Sequence, residues 1–107
     1  MATVAPTAAM WTWPPDVATL AAELGVTEYL QPVYEMTQRV YASVPLNPQV
    51  DEDPEISDDR RILMEVDVTG WDMPRLFEAQ NRWSTEIFDC CPSTHVGFFR
   101  LGLVATA

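Results

Sequence analysis

Apolar and polar positions alternate most clearly between Ile62 and Val68. Ile62, Met64, Val66 and Val68 fall on one side, and Leu63, Glu65 and Asp67 on the other. A two-residue period over seven positions is the mark of a half-buried strand, and Thr69-Gly70 supplies its end. A second strand is expected over Val96–Val104. There Phe99, Leu101 and Leu103 would share one face, and Phe98, Arg100 and Gly102 the other. A short edge strand around Asn47–Asp53 completes the set, blunted by Pro48 and by the acids at its end.

Helical spacing appears in three places. Val17–Leu24 reads as a short helix with Asp16 as cap and Gly25 as stop. After Thr27, a second cap candidate, Leu30, Val33, Tyr34, Met36, Thr37, Val40 and Tyr41 recur at helical intervals. Pro32 lies one turn inside and is expected to kink this helix or mark its regular start, while Pro45 and Pro48 end it. Asp72 and Pro74 open a third helix whose stripe takes Leu76, Phe77, Ala79, Gln80, Trp83, Ile87 and Cys90 or Cys91, with Pro92 as stop.

The order is thus helix, helix, strand, strand, helix, strand. It predicts an α+β fold with a small three-stranded mixed sheet. The first two strands form an antiparallel hairpin, the second and last run parallel across a helical crossover, and the two long helices pack on one face. The sheet's other face, with Leu63 and Phe98, would be left as a dimer or partner surface. Residues 1–15, rich in Pro, Ala and Thr, read as a flexible N-terminal segment, and 16–107 as a single domain. No stretch approaches the ~18–20 apolar residues of a membrane span. No basic region precedes the apolar part of the N-terminus, so no secretory signal is expected. Two adjacent cysteines do not make a disulfide framework, and a cytoplasmic location is the expectation.

Charge changes this picture. The 107 residues carry 16 acids against 6 basic side chains, a formal net charge of −10, and every basic residue is an arginine. Such a surface is repelled by phosphate backbones, so direct nucleic-acid binding is not expected. Without lysine there is no P-loop and no Schiff-base chemistry. The charge is uneven. Residues 45–61 hold six acids against two arginines, whereas the last fifteen residues carry only Arg100 and His95 among ionisable side chains.

The acidic segment resembles the start of a calcium loop at Asp51, Asp53 and Glu55. It then fails, with Ile56 where the turn needs Gly and Ile62 where a bidentate Glu belongs. Those three carboxylates remain weak candidates for a divalent cation. The favoured reading of Asp51, Asp53, Glu55, Asp58 and Asp59 is a solvated or docking surface for a basic partner. Glu65 and Asp67 point to the same side of their strand, with Arg100 as a possible cross-strand partner. Cys90, Cys91 and His95 are too few for structural zinc, and a helix C-terminus disfavours a thiolate. No cofactor is implied. Trp11, Trp13 and Trp71 are candidate partner anchors, as is Phe98.

Together these residues predict a small, acidic, non-catalytic protein-interaction module. It reads as a bacterial accessory, inhibitor or antitoxin-like protein that meets a basic surface or a second copy of itself. Two alternatives are an inhibitor that mimics nucleic acid, and a cation-binding protein or small enzyme built on residues 51–59.

Overall fold

The computed structural model describes residues 13–52, 55 and 60–105. Among these residues, three helices and three strands follow in chain order: α1 (Pro15–Leu24), α2 (Thr27–Val40), β1 (Leu46–Glu52), β2 (Arg60–Asp67), α3 (Met73–Cys90) and β3 (Phe99–Val104). The fold is α+β with a three-stranded mixed sheet in the order β1-β2-β3. β1 and β2 run antiparallel, with Leu46 opposite Val66 and Asp51 opposite Arg61. β2 and β3 run parallel, with Ile62 aligned to Phe99 and Leu63 to Arg100.

The period-two pattern of the central strand decides which face is buried. Ile62, Met64, Val66 and Val68 are almost fully covered, and they join one core with Val17, Leu20, Leu30, Val33, Met36, Trp83 and Ile87 of the helices. The short helix also covers the sheet: α1 lies against β1 and β2, while α2 and α3 pack on each other. Among the described residues, Thr37 is the one polar residue buried in this core. Its hydroxyl donates to the Val33 carbonyl (2.7 Å) and accepts from the Trp83 indole N–H (2.8 Å), so α2 and α3 are joined with both polar groups satisfied.

Helix ends depart from the sequence reading by small shifts with identifiable causes. α1 begins at Pro15, where a missing N–H costs nothing, and Pro14 holds the cap position. Asp16 is therefore inside the first turn, its carboxylate accepting the Val17 N–H at 2.8 Å. Gly25, at φ 73°, closes α1 in the left-handed conformation. Val26, not Thr27, precedes the first turn of α2. Pro32 does not delay that helix, which runs through it. Pro32 and Glu28 both face solvent, so water can satisfy the carbonyl deprived of its partner. Asp72 caps α3 as expected, accepting the Arg75 N–H at 3.0 Å.

The larger correction concerns the last strand. Val96–Phe98 is a 3-10 turn, and the strand begins only at Phe99. Successive turn bonds explain this: His95 and Val96 donate to the Pro92 carbonyl, and Phe98 donates to that of His95. Phe98 therefore leaves the open sheet face for a half-buried place beside His95, with ring centroids 6.0 Å apart. Among the described residues, no helix is long and apolar enough to cross a membrane.

Candidate functional site

Among the described residues, those expected to contact a partner occupy separate places on the fold. Trp11, Asp53, Asp58 and Asp59 lie outside the described residues. Trp13 is half-buried against the core, its ring meeting Tyr34 of α2 edge-on at 5.4 Å. Glu55 is exposed. Trp71 is half-buried and stacked on Tyr41, at 5.5 Å and 27°. Phe98 belongs to the 3-10 turn.

Asp51 stands on the open sheet face, but Arg100 takes its carboxylate at 2.6 Å. This corrects the expected pairing of Arg100 with Glu65 or Asp67. Register is the cause. Arg100 is aligned with Leu63, and its long side chain crosses β2 to reach Asp51 on β1. Asp67 instead accepts from the backbone N–H (3.0 Å) and hydroxyl (2.6 Å) of Thr69, which hold its carboxyl below the usual range. Leu63 lies over Gly102, where an added Cβ would sit 3.0 Å from its Cδ1. The open face is thus filled at its centre and clasped by an ion pair.

Among the described residues, which leave out Asp53, no group of three or more His, Cys, Asp or Glu side chains is placed to hold a metal. Burial pushes both the Cys90 and Cys91 thiols up, Cys91 being almost fully covered. That favours the unreactive protonated form. His95 sits between Tyr29 (5.8 Å) and Phe98, and its Nδ1 lies 2.8 Å from the Thr94 hydroxyl.

The surface that does stand out is α3. Its inward stripe is Leu76, Ala79, Trp83 and Ile87. At 100° per residue, Met73, Phe77 and Phe88 fall within about 60° of one another on one flank, and Arg75, Glu78, Arg82 and Glu86 within about 80° on the other. Phe77 was expected in the buried stripe, yet it is 56% exposed, with Met73 and Phe88 each at 57%. Leu103 and Val104, at the end of the edge strand β3, are also largely exposed. The missed signal was one of phase. Phe77 is a full 100° beyond Leu76, and Met73 and Phe88 share its line.

The charged flank faces α2. Glu86 accepts from Arg39 of α2 and, at 3.4 Å, from Arg82 one turn earlier. This double pairing holds the Glu86 carboxyl below its ordinary range. Arg75 lies with its guanidinium carbon 3.7 Å from the centre of the Trp71 ring.

Comparison of the chain with protein-family models, with curated proteins and with solved structures finds no match.

Proposed function

We propose that this chain is a non-catalytic protein-interaction module, meeting a partner of basic surface through the apolar flank of α3. The observation that carries the reading is the line of Met73, Phe77 and Phe88, each more than half exposed on a flank of a helix whose inward stripe already supplies the core. Large apolar side chains scattered singly are ordinary on a protein surface, but three on one flank provide an anchor line of the helix-docking kind. Charge complementarity selects the partner's sign. A net charge of −10 speeds encounter with a basic protein and opposes self-association. The described carboxylates are spread over all three helices and the sheet, which favours general steering over a phosphate-like stripe. A cytoplasmic setting belongs to the same proposal and rests on the lack of a disulfide framework in the sequence.

The test is salt-dependent capture compared with a surface variant. The wild-type chain is expected to retain a basic protein at about 0.05 M salt and release it near 0.5 M, where screening is nearly complete. Phe77→Gln/Phe88→Gln is expected to retain none while keeping its melting temperature. Equal retention by the variant would overturn the assignment of this flank. Failure of the wild-type chain to retain any partner at low salt would overturn the module reading.

A further inference from the structure

The other flank of α3 carries a separate feature. Half of the chain's six arginines, Arg39, Arg75 and Arg82, line one cleft of about 210 Å³ between the C-terminal end of α2 and the first turns of α3, with Glu78, Trp71 and Ala42 completing its walls. Elsewhere Arg60 pairs with Glu23 (2.6 Å), Arg100 pairs with Asp51, and Arg61 donates to the Gly97 carbonyl (3.0 Å). In a chain this acidic, three arginines at one cleft are a local concentration of cations. Against Glu78, Glu86 and the Asp72 cap, whose carboxylate accepts the Arg75 backbone N–H at 3.0 Å, their charge is balanced.

Arg75 is the group with capacity to spare. Arg39 and Arg82 share Glu86, but Arg75 has no carboxylate partner among the described residues. Its guanidinium is laid on the Trp71 ring, and Trp71 is backed in turn by the fully buried Tyr41. Stacking uses the face of the guanidinium and leaves its edge of N–H donors open, already oriented. The cleft's far wall turns at Ala42 and Ser43, at φ 55° and 60°, a left-handed pair of non-glycine residues. This turn directs the N–H groups of Tyr41, Ala42 and Ser43 back onto the carbonyls of Thr37, Arg39 and Gln38. Those carbonyls at the negative end of α2 are therefore occupied where they would oppose an anion.

We infer that this cleft is a binding site for a small organic carboxylate, with Arg75 as bidentate anchor and Trp71 as the wall for its apolar body. A planar carboxylate matches the guanidinium edge. A balanced site with one guanidinium edge free of a carboxylate suits a monoanion better than a phosphate dianion. The volume is below that of sites for drug-sized ligands, so the group is a small acid or the terminal carboxylate of a peptide. This site is independent of the apolar flank.

The experiment follows the indole N–H resonance of Trp71 and the side-chain N–H of Arg75 by NMR in the full chain. The probes are benzoate, inorganic phosphate, and a short peptide with either a free or an amidated C-terminus. Millimolar benzoate, the free-acid peptide or both are expected to shift these resonances saturably, with the amidated peptide inert and phosphate weaker. Arg75→Gln should weaken binding roughly tenfold or more, whereas Arg60→Gln should leave it unchanged. Benzoate binding assigns a free small acid as the source, and binding of the peptide acid alone assigns a partner's chain end. No saturable shift with either acid, equal affinity in Arg75→Gln with native spectra, or tighter binding of phosphate would overturn the inference. Arg75→Lys, which keeps the charge but not the fork, should also bind weakly; full affinity in that variant would overturn bidentate recognition.

Discussion

The two flanks of α3 are built on the same eighteen residues and the same buried stripe, yet they differ in almost every other respect. One is uncharged and exposed, with Met73, Phe77 and Phe88 along its line and Ser84 among them. The other is a lattice of Arg75, Glu78, Arg82 and Glu86, joined to α2 through Arg39. Neither flank is required to seat the helix, because Leu76, Ala79, Trp83 and Ile87 already do so. The difference separates what holds the fold from what is available for recognition. A helix anchored by one narrow stripe can present a docking line on one side and a charged cleft on the other.

The comparison is broken most severely at the stripe both flanks depend on. Trp83→Ala should cost about 3–5 kcal/mol, removing a large core side chain and the indole bond to Thr37, and it should unseat both flanks together. Chemical denaturation checks the size of the loss. Thr37→Val should cost about 1–3 kcal/mol by leaving the Trp83 N–H buried without an acceptor. A cost well below 1 kcal/mol would mean that the bond is not needed to hold α3.

Smaller changes separate the flanks. Glu86→Gln should cost up to about 1 kcal/mol, since its partners Arg39 and Arg82 are largely exposed. The same pairing predicts a pH dependence. A carboxyl whose folded pKa is depressed contributes stability above its unfolded value, and that contribution is lost as the pH falls through the folded one. Acid titration of stability should therefore be shallower in Glu86→Gln than in the wild type, and benzoate should bind the variant more tightly. Phe77→Gln/Phe88→Gln should change stability by no more than about 0.5 kcal/mol per site. Last, Tyr41→Phe should be neutral or slightly stabilising in a thermal melt, because the Tyr41 hydroxyl is buried without a partner among the described residues.

Much of the architecture was readable because local chemistry and tertiary packing agree. Alternation from Ile62 to Val68 places the core face of the central strand, and Asp72 with Pro74 places the start of α3. The failures occur where a neighbour in space decides. Pro32 suggested a regular start one turn late, but the helix runs through it, and solvent at its exposed face lessens the cost of the lost bond. Phe98 fitted the alternation of a strand, but the turn bonds to Pro92 and His95 take it out of the sheet. Arg100 had two acids within reach by sequence spacing, and register gave it a third on the far strand. The cleft was not legible at all. Arg39, Arg75 and Arg82 come from two helices separated by the β1–β2 hairpin, and no spacing rule joins them.

The parallel pairing of β2 with β3 also sets an order of assembly. β1 and β2 are near neighbours in the chain and can meet early through a short closure. β3 must wait until the chain from Val68 to Phe98 has been organised, since its strand runs the same way as β2. Until then the second edge of β2, rich in Ile62, Leu63, Met64 and Val66, stays unpaired. A chain stalled at that stage presents an apolar central strand to any other strand in reach. Aggregation during refolding should therefore be governed by how fast α3 docks, and variants that slow that step should aggregate more even when their final stability is unchanged.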